Sequence, residues 1–252
     1  VGDRRPGRNW PACCARVLMH SAGGQNCSRD KRGCRPLHHE PGIDGHAARL
    51  DHGCRMRTDQ QHNQVRIIAG IWRGRKLCFA PEPGLRPTPN RVRETLFNWL
   101  HPVIHGTRCL DLYAGSGALG VEAASRGAAT VVLVDHDPQV VRTLRGQLQM
   151  LAADQVRVVQ ADVGNYLSGN PETFDIVFLD PPFRENLLTA AIRQLESGGW
   201  LAPEAWIYVE AEQGWVPELP DNWELYRSKR AGQVGYHLVQ RLPTGPATQS
   251  SE

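Results

Sequence analysis

The sequence has no long hydrophobic stretch. No apolar run among its 252 residues approaches the roughly 20 that a bilayer-spanning helix needs. The one apolar patch near the start, Val17-Leu18-Met19, is far too short for the core of a secretory signal. Neither a membrane span nor a secretory signal is expected, and the chain reads as cytoplasmic. There is no internal repeat and little excess charge of either sign, since a formal balance of +3 names no partner by itself. C-x-x-C pairs are also missing. The nearest approach to a zinc-ligand pattern is Cys34 followed by His38 and His39, so no metal site is expected. A chain that is 40% hydrophobic and 22% charged can bury one sizeable core, or two small ones, without disulfide staples.

What is present is unevenly distributed. Residues 1–60 hold 11 Lys/Arg against 6 Asp/Glu, whereas residues 61–252 hold 18 against 20. The first stretch also carries Cys13, Cys14, Cys27, Cys34 and Cys54 with scattered Gly and Pro and no helical or strand period. Such a segment cannot bury enough apolar surface to offset the entropy of ordering it. Residues 1–64 are therefore expected to be a disordered extension or to lie outside the natural product. Periodic sequence begins near Val65, shortly after Met56, so residues 1–55 are read as an over-extended reading frame.

From Val65 onward regular elements can be placed. Arg66–Ala69 and Arg75–Phe79 read as two strands joined through the Trp72-Arg-Gly74 turn. Thr88 before Pro89 reads as an N-cap, and Val92, Leu96 and Leu100 recur at helical spacing, which predicts a helix over 89–100. Short apolar runs follow at Cys109–Leu112, Thr130–Val134, Val156–Val159, Phe174–Leu179 and Ala205–Val209, separated by helical segments around 117–126, 138–151 and 186–196. This alternation predicts an α/β fold with a parallel, doubly wound, Rossmann-like sheet. Trp223–Ser228 and Val234–Gln240, joined across Ala231-Gly232, predict a closing antiparallel hairpin. The expected organisation is a basic hairpin-and-helix lobe over 65–104, a main domain over 105–242 and a loose tail over 243–252.

Leu110-Asp-Leu-Tyr-Ala-Gly-Ser-Gly-Ala-Leu-Gly120 places glycines 115, 117 and 120 in G-x-G-x-x-G spacing at a strand-to-helix turn. Small residues there (Ala114, Gly115, Ser116, Gly117) would let a nucleotide-type cofactor approach the backbone amides. Asp135, with His136 and Asp137 beside it, ends the second strand where an acid can accept both hydroxyls of a ribose. NAD and S-adenosylmethionine share that ribose. Asp111, just ahead of the glycines, would repel a pyrophosphate but could engage a cationic amino group, which favours S-adenosylmethionine. Asp162 could accept from an adenine amino group or could serve as a helix N-cap.

Asp180-Pro-Pro-Phe183 ends the strand Phe174–Leu179. Pro181 and Pro182 cannot continue a ladder, so they force a rigid turn at the carboxyl edge of the sheet, where open α/β folds bind ligands. An exocyclic amine on a base is a poor nucleophile because its lone pair is delocalised. The Asp180 carboxylate and the Pro181 carbonyl can each accept one N–H and aim that lone pair, with Phe183 stacked on the base. Between residues 66 and 93 lie Arg66, Arg73, Arg75, Lys76, Arg86, Arg91 and Arg93 with Trp72 interleaved and one acid, Glu82. That density suits RNA phosphates. Cys78 and Cys109 fall inside predicted strands and read as packing residues.

From Arg66-Ile-Ile-Ala-Gly70 through Trp72-Arg-Gly-Arg-Lys76, Leu85-Arg-Pro-Thr88, Arg91-Val-Arg-Glu-Thr-Leu-Phe-Asn98, the glycine loop and the double-proline turn, the chain resembles the RsmD family of bacterial 16S rRNA guanine N2-methyltransferases. The resemblance covers about 65–241, and residues 1–55 have no counterpart in it. It implies a seven-stranded Rossmann-like methyltransferase sheet. It also implies methyl transfer from S-adenosylmethionine to N2 of guanine 966, on a 30S subunit or an assembly intermediate. One complete cofactor site and one complete catalytic turn in a single chain favour a monomer. Three competing readings are a nicotinamide dehydrogenase, an adenine-N6 DNA methyltransferase and a non-catalytic rRNA-binding assembly factor. The first leaves Asp111 and the Asp180 turn without a purpose, and the second is opposed by the basic lobe alone. The third would need that lobe without a cofactor pocket.

Overall fold

The computed structural model describes residues 63–79, 88–182, 187–215 and 218–243. The expectations placed on the first 62 residues and on the tail beyond 243 lie outside the described residues, as do Arg86 and Phe183. The elements in chain order are β1 (Asn63–Arg66), β2 (Lys76–Phe79), α1 (Asn90–Leu100), β3 (Arg108–Asp111), α2 (Ala118–Ser125), β4 (Thr130–Asp135) and α3 (Pro138–Leu151). They continue with β5 (Val156–Gln160), α4 (Val163–Leu167), β6 (Phe174–Leu179), α5 (Leu187–Ser197), β7 (Leu201–Glu212), β8 (Trp223–Ala231) and β9 (Val234–Arg241).

Seven of the strands form one sheet in the order β5-β4-β3-β6-β7-β9-β8, with β3 to β7 parallel and the β8–β9 hairpin antiparallel. The central strands are covered on both faces, which is why they read as continuous apolar runs rather than alternating ones. Leu110, Val132, Val177 and Ile207 point into a core shared with α4 and α5, and Cys109, Val131, Ile176 and Tyr208 into one shared with α1, α2 and α3. Val65, Ile67, Leu77 and Phe79 of the β1–β2 region belong to that second core, so the basic lobe and the sheet domain pack as one body. No helix among the described residues is long and apolar enough to cross a membrane.

The first hairpin departs from expectation. Its first strand lies at Asn63–Arg66 rather than at Arg66–Ala69. The amides of Ile68 and Ala69 leave the ladder to donate to the Glu122 carboxylate at 2.8 and 3.0 Å. Gly70, at φ +82°, then passes so close to α2 that a Cβ there would sit 1.7 Å from the Ser125 carbonyl oxygen. Helix α4, five residues long and too short to show a period, starts directly after Asp162, the position read as a possible helix N-cap. Strand β7 is also longer than the Ala205–Val209 run.

Candidate active site

The crevice lies where β3 and β6, neighbours in the sheet, send the chain to opposite faces, into α2 and toward α5. This is the switch point at which open α/β sheets bind ligands. Asp111 is registered with Phe178, and the Leu112 amide donates to the Phe178 carbonyl at 3.2 Å. The glycine loop and the Asp180 turn therefore leave the same edge from adjacent strands.

The three glycines do different work. Gly115 (φ +48°) and Gly117 (φ +74°) shape the turn in the left-handed region. A Cβ on Gly120 would lie 2.2 Å from Leu133 Cδ2, so this glycine lets α2 approach β4. Three amides of the loop are already engaged. The Gly115 amide donates to Asp135 Oδ2 at 2.8 Å, Ala114 to the Val134 carbonyl at 3.0 Å and Gly117 to the Ala114 carbonyl at 2.7 Å. Ser116 is buried and His136 is exposed. Asp135 Oδ1 also accepts the Asp137 amide at 2.9 Å, so this acid braces the loop as well as ending β4. Asp162 caps α4, its Oδ1 accepting the amides of Gly164 and Asn165 at 2.9 and 3.4 Å, and is itself exposed.

Asp111 is buried. Its Oδ2 accepts the Gly120 amide at 3.0 Å, while Oδ1 has no partner among the described residues. Burial, with a contribution from the charge of Asp135, pushes its carboxyl up to about 7.

Asp180 is half-buried, Pro181 buried and Pro182 exposed. The Thr88 hydroxyl donates to Asp180 Oδ2 at 3.1 Å instead of capping α1, whose N-terminus carries no side-chain cap. Leu179 is registered with Val209, so Asp180, just past the end of β6, and Glu210, within β7, follow side by side. Glu210 is buried and accepts from the Tyr208 hydroxyl at 2.7 Å. Burial raises the pKa of both carboxyls. The charge of Glu210 raises Asp180 further, Asp111 adds to the effect, and Thr88 opposes it at both acids. A close buried pair of this kind has its affinity for a proton raised. Sequence reasoning missed Glu210 and Tyr208 and misassigned Thr88. An acid closing the apolar run Ile207-Tyr-Val209 was the available signal.

In the basic lobe, Arg66, Arg73, Arg75, Lys76 and Arg91 are exposed. Two RNA-contact expectations are corrected. Arg93 is 1% exposed. It donates to the Arg66 carbonyl at 2.9 Å and to Asn90 Oδ1 at 2.6 Å, and it pairs with Glu122 at 3.6 Å. Glu122 also holds Arg126 at 2.7 Å, so the arginine fastens α1 and β1 to α2. Trp72 is buried as well, its amide donating to Ser125 Oγ at 3.1 Å. Cys78 and Cys109 are both buried.

The family described as Conserved hypothetical protein 95 matches residues 65–240. Ribosomal RNA small subunit methyltransferase D of Escherichia coli (strain K12) is 53% identical over 183 residues, covering 72% of this chain and 92% of that protein. Its namesake in Haemophilus influenzae is 46% identical over 190 residues, covering 74% and 98%. The chain belongs to the RsmD family. The solved structure of yhhF from Escherichia coli is 53% identical, covers 72% of this chain and 100% of its own, and superposes with a TM-score of 0.67. A Thermus thermophilus 16S rRNA N2 G1207 methyltransferase, solved with AdoMet and guanosine, shares the fold at 22% identity and a TM-score of 0.53.

Membership in a methyltransferase family implies use of S-adenosylmethionine, and the RsmD crevice fits such a group. A buried carboxylate oxygen without a partner among the described residues, Asp111 Oδ1, suits a cationic ligand. The positive-φ bend at Gly115 and Gly117 stands beside it, and Asp135 and Asp162 close the neighbouring strand ends.

Proposed function

We propose that this protein transfers a methyl group from S-adenosylmethionine to the exocyclic N2 of a guanine, guanine 966 by the family resemblance, in 16S rRNA. The substrate is the 30S subunit or its assembly intermediate, and the enzyme acts as a cytoplasmic monomer. The observation that carries this reading is the placement of Asp180 and the glycine loop on adjacent strand ends of one crevice.

Asp111, Gly115, Ser116, Gly117, Asp135 and Asp162 would hold the donor. When bound, it supplies an electrophilic methyl carbon on a sulfonium. The chain's own part is positioning. Thr88 fixes Asp180 Oδ2, leaving Oδ1 for one N–H of the amine, and the Pro181 carbonyl takes the other. Both prolines resist distortion of that acceptor pair. In-line transfer leaves the nitrogen with a proton to lose, and the Asp180–Glu210 pair, its affinity for protons raised, can take it up. The exposed arginines 66, 73, 75 and 91 with Lys76 grip phosphates around the entrance.

The reading is tested by mass-spectrometric mapping of small-subunit rRNA from cells lacking the protein. One guanine should lose its N2-methyl group and regain it when the gene is restored. A methylation pattern unchanged by deletion would refute the activity.

A further inference from the structure

Strand β8 forms one edge of the large sheet, with β9 as its only neighbour there. From Glu224 to Arg230 every residue is exposed. Arg227, Lys229 and Arg230 stand there against one acid, Glu224, and none of the three pairs with an acid among the described residues. Cations on an edge strand guard against edge-to-edge pairing, and that alone would explain them. It would not explain the rings. The Arg227 guanidinium lies over the Tyr226 ring at 4.9 Å, and the Lys229 ammonium over Trp99 at 5.8 Å. Tyr226 meets Trp206 edge-on at 5.0 Å, Trp99 stacks on Tyr236 at 5.6 Å, and Tyr226 remains 50% exposed.

This patch shares a face with the basic lobe. The bulge between Leu225 and Arg227 sets Arg227 opposite Leu238 and Lys229 opposite Tyr236, and both partners belong to the core that holds α1 and the hairpin. It is also in line with the chemistry. Lys229 is registered with Tyr236, Tyr236 with Glu210, and Glu210 stands beside Asp180. Three strand spacings of about 4.8 Å make this row roughly 14 Å long. Helix α1 spans a similar distance. Thr88, two residues before its start, touches Asp180, and Trp99 near its end lies under Lys229. Its eleven residues rise about 16 Å.

We propose that Tyr226, Arg227 and Lys229 form a second RNA-binding surface, which holds the single-stranded rRNA segment flanking the target base. The proposal rests on the reading of the protein as an rRNA methyltransferase. The cations take phosphates, and the exposed ring offers a platform for a base.

Filter binding of protein-free small-subunit rRNA, prepared from cells lacking the protein and titrated with salt, tests it. The double variant Arg227→Ala/Lys229→Ala should bind about tenfold more weakly near 0.1 M salt, with a salt slope shallower by about 1.4, because two phosphate contacts are gone. The charge-keeping variant Arg227→Lys/Lys229→Arg should bind as the parent does. Equal binding and equal slope for the alanine variant and the parent would overturn the surface. So would an equal loss in the charge-keeping variant, since packing rather than charge would then be responsible. Should the parent transfer no methyl group to 30S particles from the same cells, the activity reading fails, and the binding comparison still decides the surface.

Discussion

Asp111 is buried, with Oδ2 accepting the Gly120 amide and Oδ1 without a hydrogen-bond partner among the described residues, and burial pushes its carboxyl up to about 7. A bound cation favours the ionised form, so S-adenosylmethionine and a proton compete. Below pH 7 the neutral acid dominates and the attraction is lost; above it the carboxylate is ready. Calorimetry should find binding about tenfold weaker at pH 6 than at pH 8, one pKa unit below the midpoint. Asp111→Asn should be weak and flat across that range, and a flat profile in the parent would dismiss the role. At this scale the sequence exposed the residues that stand inside recognisable turns, Asp111, Gly117 and Asp180. It concealed those that arrive through register. Glu210 lies 30 positions from Asp180 and reaches it only because β6 and β7 pair as they do. Thr88 satisfied the local rule for a cap, and the neighbouring carboxylate, 92 positions away, claimed its hydroxyl instead.

Elements were legible where a period or a breaker marked them. Phe174–Leu179 and helix 138–151 fall at the expected bounds, since one is a bounded apolar run and the other has Asp137 as cap with proline behind it. The β1–β2 turn was not, because a buried glutamate on α2 supplies the hydrogen bonds that a longer strand would have made. The same glutamate decides the fate of Arg93. In composition that arginine matched its exposed neighbours, and only the packing of α1 against α2 turned it inward. Arg93→Ala leaves Glu122 with less compensation in a buried site and should cost about 3 kcal/mol in chemical denaturation. The salt slope of RNA binding should be unchanged. Arg73→Ala should do the reverse, leaving the melt intact while weakening RNA binding and flattening its salt dependence. An Arg93 variant as stable as the parent would contradict the clasp.

The whole molecule joins two halves of one reaction by topology. The chain winds from β3 to β5 in one direction, returns to β6 on the other side of β3, and so sets the donor loop and the Asp180 turn side by side. The first hairpin and α1, which carry the exposed cations, pack their apolar residues into the same core as the sheet, which leaves the lobe little freedom to drift from the site it serves. On the proposed function, chemistry happens at the Asp180 corner while the donor is held independently beside it. Single-turnover methyl transfer to 30S particles from cells lacking the protein, by Asp180→Ala enzyme saturated with S-adenosylmethionine, tests this most directly. The rate should fall by roughly a hundredfold or more, because the amine loses its positioning acceptor. Transfer at the parent's rate would contradict it.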